Sequence, residues 1–331
     1  MKYRNLIITM LMASAALLSC TKETPCTEGD NPEEGTVEVT FSVAEDTKGG
    51  AIDDSGVSRS EVYVFNHSSG AKQAWNYAAG SSVTVSVLPG TYYDFYMVCN
   101  KATDGSLSRA SVQGLTSTLS ENSAGSFVMG GSREAVRFLG AGTVSMTVTR
   151  SAAKITLGSI TNALQETDLA GETFTVKRIY LINAVTGSAK VIGQTMSSLS
   201  WGNVCSNTGS APAALLSETV NTAVAHGGTL AGPHVFYCYP NGTSAGFDKY
   251  GADKAVPMRT RLVVEAQIGS RTCYYPITID GVAANTSYTI PSLTVTRFGA
   301  DHPNSGVETN VASFKCFALP WIQRGQGSVE L

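Results

Sequence analysis

A cysteine behind two leucines and a small residue can be acylated, and Leu17-Leu18-Ser19-Cys20 has that order. It is the pattern of a bacterial lipobox, in which the cysteine becomes the lipid-bearing first residue of the mature chain. The residues before it fit: Lys2 and Arg4 give a basic start, and the run from Asn5 to Ala16 carries no charge. That run is shorter than the roughly 20 apolar residues of a retained bilayer span, so residues 1–19 read as a signal peptide. Acyl chains contribute about 0.8 kcal/mol per buried methylene, enough for several chains on Cys20 to hold a protein at a membrane without a spanning helix. The plainer alternative is an ordinary secretory signal in which Cys20 is incidental.

The remaining reactive residue types form no catalytic pattern. Gly242-Thr243-Ser244-Ala245-Gly246 matches the GxSxG spacing of a nucleophile elbow, which needs a strand before it, a helix after it, and acid and histidine partners downstream. Pro240-Asn241 precedes it, nothing helical follows in Phe247-Asp248-Lys249-Tyr250-Gly251, and His302 is the only later histidine. The stretch therefore reads as a glycine-rich hairpin loop, and a secreted serine hydrolase would need Ser244 beside His302. HExxH, P-loop and dinucleotide fingerprints are absent. His67, His226, His234 and His302 show no metal-ligand spacing, and Asp53-Asp54 lacks the ligand ladder of a calcium loop. The cysteines other than Cys20 are Cys26, Cys99, Cys205, Cys238, Cys273 and Cys316, with no CxxC pair to ligate zinc. Most lie in apolar runs and read as buried thiols, with one or two disulfides as the alternative in an oxidising compartment. Catalytic residues, cofactors and metals are not expected.

The charge balance is mildly acidic, formally −3, and loss of Lys2 and Arg4 with the signal makes it −5. Such a chain has no electrostatic footprint for nucleic acid. Only 15% of residues are charged, while Gly, Ser, Thr, Val and Ala dominate, as in exported all-β proteins. The mature length suffices for two domains. Residues 20–35, with Lys22, Glu23, Glu28, Asp30, Glu33 and Glu34, have no apolar periodicity and read as a flexible acidic tether.

Order begins at Thr36. Val37, Val39, Phe41 and Val43 alternate with polar residues, the period-2 signature of a half-buried strand. A long loop follows from Ala44 to Ser60, with Lys48 and Arg59 as its basic residues. Strand patterns then appear at 61–65, 82–88 and 92–98, with Leu88-Pro89-Gly90-Thr91 as a turn, and again at 126–129, 136–139 and 143–149. Leu107, Val112, Leu115 and Leu119 suggest one short helix across an end of the sheet. Residues 36–150 thus read as an N-terminal sandwich and 151–331 as a second, with strands at 174–184, 233–239, 261–268, 273–279, 286–296 and 311–318. Residues 171–187 read as a hairpin arm and 195–228 as an elaborated surface loop.

The order of these features resembles the fimbrillins of Bacteroidetes-type (type V) pili. The residues carrying the likeness are the lipobox, the acidic tether, the alternating first strand, the loop with a basic residue and Val62-Tyr63-Val64-Phe65-Asn66. Further on, Arg150-Ser151-Ala152-Ala153-Lys154-Ile155, Asn285-Thr286-Ser287-Tyr288-Thr289-Ile290 and the final Trp321 segment continue it. No single motif is specific; the ordered set, across nearly the whole chain, carries it.

The resemblance implies an all-β protein of two tandem transthyretin-like β-sandwiches. It implies an outer-membrane lipoprotein precursor, held through lipid on Cys20 and destined for a cell-surface fimbria. A trypsin-like protease would cut the loop after the first strand, at Lys48 or Arg59, and release the strand carrying Val37, Val39, Phe41 and Val43. A neighbour's C-terminal segment, within Val311 to Leu331 and including Phe314, Cys316, Ala318, Trp321 and Ile322, would fill the groove. The partners are then other copies of the chain or related pilin subunits, with a host or bacterial surface receptor beyond them. The better-known stalk members have arginine at the cut, and Lys48 departs from that. A competing expectation is a glycan-binding or adhesin lipoprotein that does not polymerise, with Trp75, Tyr77 and Trp201 as its aromatic platform.

Overall fold

The computed structural model describes residues 35–43, 54, 56–165, 169, 171–205, 213–242, 259–305 and 312–320. Strands dominate their regular structure, with only short helical turns beside them. The described residues from Val37 onward make one compact unit.

The first sheet has the order β4 (Ser82–Val87), β1 (Val37–Val43), β8 (Gly142–Met146). It covers a five-stranded sheet of β3 (Lys72–Ala79), β2 (Arg59–Asn66), β5 (Tyr92–Cys99), β7 (Met129–Arg137) and β9 (Thr149–Arg150). Alternation builds the core between them: Val39 and Phe41 from β1 meet Val62, Val64, Phe95 and Met97, and the Phe41 and Phe95 rings lie 4.6 Å apart. β2 and β5 are buried on both faces, which explains their near-continuous apolar runs. Their outer faces carry Tyr63, Phe65 and Tyr96 under Val112. Val112 belongs to α1 (Arg109–Gln113), a single turn capped by the Ser108 hydroxyl, so the expected helix over 107–119 is shorter than its apolar spacing suggested.

After residue 150 a second pair of sheets forms. In one, β10 (Ala153–Asn162) pairs with β17 (Thr229–Cys238) on one side and, in parallel, with β20 (Thr286–Ile290) and β21 (Leu293–Val295) on the other. β20 and β21 are a single strand interrupted at Pro291-Ser292, opposite Gly158, where a Cβ would meet the Pro291 carbonyl. The edge is β22 (Ala312–Phe314) along β21 and β23 (Phe317–Pro320) along β20. The facing sheet runs β16 (Ser217–Val224), β11 (Phe174–Ile182), β18 (Arg261–Ile268), β19 (Arg271–Thr278). A short pair, β12 (Ala184–Val185) with β15 (Trp201–Gly202), continues from it.

Two expectations change here. Residues 171–187 are not a hairpin arm, because β11 pairs with β16 and β18 and not with itself. The supposed loop 195–228 contains β16 and a short helix, α2 (Ala213–Leu216).

Among the described residues every sheet but one draws its strands from one side of residue 150. The exception joins β6 (Thr116–Thr118) to β13 (Ser188–Lys190) and β14 (Met196–Ser198). Beside it the Tyr239 hydroxyl donates to the Ser117 carbonyl at 3.0 Å and accepts from Asn122 Nδ2 at 3.2 Å. Phe127 and Tyr237 bring ring centroids to 4.8 Å, and the buried apolar cluster is continuous across residue 150.

The core predicts a sharp contrast. Phe41→Ala removes a fully buried ring and should cost about 3–5 kcal/mol of unfolding free energy in urea. Phe317→Ala, 51% exposed on the edge strand, should stay within about 0.5 kcal/mol.

Candidate functional site

The first strand is the centre of its sheet. It pairs antiparallel with β4 from Val37↔Val87 to Ser42↔Ser82, and parallel with β8 from Val39↔Gly142 to Val43↔Met146. Val39 and Phe41 are fully buried, Val43 is nearly so, and Val37 is half-buried against the same core. The alternate residues face outward: Glu38 is exposed, and Thr40 meets Thr84 hydroxyl to hydroxyl at 2.8 Å. Among the described residues no other strand bridges β4 and β8 in this sheet.

The C-terminal segment occupies the opposite kind of position. β22 and β23 are paired on one side only, with registers Leu293↔Phe314 and Tyr288↔Ala318. Ala312 is buried, but Phe314, Phe317 and Leu319 are 43%, 51% and 58% exposed, and Cys316 and Ala318 are exposed too. The single alternation expected through 312–318 is broken at Lys315-Cys316, in register with the Pro291-Ser292 break of the neighbouring strand. An open hollow of about 240 Å³ lies there, between Pro291 and Phe314. Unpaired backbone beside large exposed apolar side chains is an edge able to pair elsewhere.

Of the other site residues, Cys20, Lys48, Trp321 and Ile322 lie outside the described residues, as do Thr243 to Gly246 of the GxSxG stretch. Arg59 is the first residue of β2. Its Nε donates to Glu61 at 2.6 Å and its guanidinium stacks 3.9 Å over the Tyr77 ring. Trp75 and Tyr77 are neighbours on one face of β3, ring centroids 5.4 Å apart, with Trp75 half-buried and Tyr77 exposed. Trp201 sits in the separate β12–β15 pair. Burial pulls the His302 imidazole below its usual range. No group of metal-ligating side chains occurs among the described residues. Sequence reasoning set Asp54 in a long loop and weighed it only as a calcium ligand, whereas it is 2% exposed. Its partners lie far along the chain, where no local signal points.

No family model matches the sequence, and no curated protein matches it. Solved structures do. A candidate cell adhesion protein from Bacteroides eggerthii is 16% identical with a TM-score of 0.66, covering 89% of this chain and 99% of its own. A fimbrilin, FimA, from Porphyromonas gingivalis is 15% identical with a TM-score of 0.62, over 88% of this chain and 99% of its own. The tip fimbrial protein Mfa3 from the same organism, truncated at its C-terminus, is 11% identical with a TM-score of 0.54, over 86% and 100%. The chain has the all-β fold of the Bacteroidetes fimbrillins. These neighbours are fimbrial and adhesion proteins, not enzymes.

The thiols give a test of the arrangement. Burial pushes Cys99 and Cys238 up to about 12 and raises buried Cys273; it raises Cys316 too, but Cys316, at the break between β22 and β23, is the exposed thiol among the described cysteines. Alkylation needs a thiolate that the reagent can reach, so iodoacetamide should modify exposed Cys316 in the native chain and leave buried Cys99, Cys238 and Cys273 until it unfolds. Peptide mass spectrometry reads the order.

Proposed function

We propose that the chain is a structural subunit of a cell-surface fimbria, exported as an outer-membrane lipoprotein on Cys20 and polymerised by protease-assisted strand exchange. The observation that carries this reading is the contrast between β1 and the C-terminal segment: a short first strand is the centre of a sheet, while the last described strands sit on an edge with apolar side chains in solvent. The likeness to fimbrilin and to a tip fimbrial protein supports it.

The energetics make replacement obligatory once β1 is cut away. Val39, Phe41 and Val43 are buried, and each contributes about 1.5–3 kcal/mol by burial. Their sum is comparable with the whole stability of a domain, about 5–15 kcal/mol. A subunit without β1 holds its fold only if another chain fills the groove, and the partners that fit are copies of itself or related pilins. A second reading, a surface adhesin that does not polymerise, draws on the exposed Tyr77 beside Trp75.

Deleting Pro320 to Leu331 should leave a folded, exported monomer that forms no fibres, and cysteines placed in this tail and in the β1 groove should cross-link between subunits. Electron microscopy and non-reducing gels decide it: fibres of normal length from the truncated chain move the reading to the adhesin. Cys20→Ala should abolish acyl labelling and surface display, and normal membrane retention of that variant would count against lipid anchoring.

A further inference from the structure

Lys154 and Tyr237 are register partners on β10 and β17, so their side chains stand next to each other on one face of the sheet. The residue they meet there is Asp54, from the stretch joining β1 to β2. Lys154 Nζ lies 2.5 Å from Asp54 Oδ2. Asp54 Oδ1 accepts from the Tyr237 hydroxyl at 2.7 Å and from the Gly125 N–H at 3.3 Å. Asp54 and Tyr237 are 2% exposed and Lys154 is 9% exposed. Burial, with the Asp54 carboxylate adding to it, pushes the Tyr237 phenol far up, so it stays protonated and donates.

The acid is fixed through its backbone as well. Arg150 donates to the Asp54 carbonyl from Nε at 3.3 Å and Nη2 at 3.0 Å. Two residues on, Asn100 gives Nδ2 to the Gly56 carbonyl at 2.7 Å, and Gly56 packs against the Gly125 carbonyl, where a Cβ would come within 2.5 Å. An amine and a carboxyl are thus held in contact by the fold itself. That is the condition under which an intramolecular step gains most over its counterpart in free solution.

We propose that this is a modification site, at which Lys154 and Asp54 condense into an amide that cross-links the two side chains. A proton passes from Nζ to Oδ2 and leaves a neutral amine beside a neutral acid; burial lowers the cost of that exchange, because desolvation penalises only the ionised forms. The Nζ lone pair then attacks Cγ. Negative charge develops on Oδ1, where the Tyr237 hydroxyl already donates, with the Gly125 N–H behind it, in the manner of an oxyanion hole. The Cγ–Oδ2 bond breaks, a second Nζ proton leaves with the oxygen, and one water departs. Carboxylate plus ammonium has become amide plus water, with no oxidant or cofactor, and the closed site keeps water from reversing the step. The bond would tie the stretch before β2 to a strand inside the sheet built after residue 150, closing a covalent loop across 100 positions of the chain. It does not depend on the fimbrial reading.

The test is mass spectrometry of the full-length chain, purified folded, then denatured, reduced and digested with trypsin. Trypsin does not cut after an acylated lysine. The link should therefore appear as residues 49–59 joined to residues 151–177, lighter by one water than the two peptides together, with fragment ions placing it on Asp54 and Lys154. Asp54→Ala and Lys154→Met should lack it. In pulse-labelled chain, Tyr237→Phe should slow its appearance about tenfold or more, since a donor to the developing charge is lost. Recovery of 49–59, 151–154 and 155–177 as separate peptides from the folded wild-type chain overturns the proposal and leaves a buried ion pair. A link that forms as fast in folded Tyr237→Phe overturns the role given to the hydroxyl. Should the variants fail to fold, the wild-type peptides decide alone.

Discussion

A sheet of three strands has one central strand, and here that strand is β1. Every backbone group it turns toward β4 and β8 is answered only while it stays in place, and the Phe95 face behind it is covered only by its alternate side chains. Removing it would not trim an edge, as loss of a terminal strand does in most sheets. It would create two new edges above an uncovered core. The rest of the N-terminal part depends on this: β8 has no other partner in that sheet, and β4 would have none.

The contacts between the sheets before and after residue 150 are of a different kind. They combine a continuous apolar cluster with polar groups satisfied across it: Tyr239 with Ser117 and Asn122, and Asp54 with Lys154, Arg150 and Tyr237. Buried charge is a poor source of net stability, since desolvation offsets most of the attraction. Its consequence is geometric. A carboxylate meeting a lysine on β10 and a tyrosine on β17 has one arrangement that satisfies them, whereas apolar surfaces can slide. The polar groups therefore fix register where the apolar cluster supplies attraction.

The strands legible in the sequence were those with one or both faces buried. Val37 to Val43 shows clean alternation because one face is core, and β2, β5, β11 and β18 show apolar runs because both faces are covered. Those that escaped notice lie at edges or carry irregular backbone. β3, Lys72-Gln73-Ala74-Trp75-Asn76-Tyr77-Ala78-Ala79, and β16, Ser217-Glu218-Thr219-Val220-Asn221-Thr222-Ala223-Val224, are each paired on one side and mostly exposed, so nothing imposes a hydrophobic period. β7 read as two strands because Gly130-Gly131 and Ala135, at φ 55°, interrupt its apolar pattern while the ladder to β5 continues past a bulge. Of the candidate site, the inward set of β1 could be read from its period. The exposure of Phe314 and Phe317 could not, because an apolar residue in a strand pattern carries no mark of whether its sheet continues beyond it.

That last point bears on the direction of assembly. In one chain the C-terminal segment is paired on one side and leaves Phe314, Phe317 and Leu319 about half in solvent. In a groove vacated by β1 a strand is paired on both sides, and its inward set is covered as Val39 and Phe41 are now. Each large side chain moved from half exposure to full burial would gain a part of the 1.5–3 kcal/mol that roughly measures its whole burial. The same change satisfies a second row of backbone hydrogen bonds. In the proposed exchange the acceptor recovers what it lost with its own strand, and the donor gains what its edge position withheld. The polymer is then favoured over two separate cut subunits by local contacts alone, and the intact first strand is what opposes it beforehand.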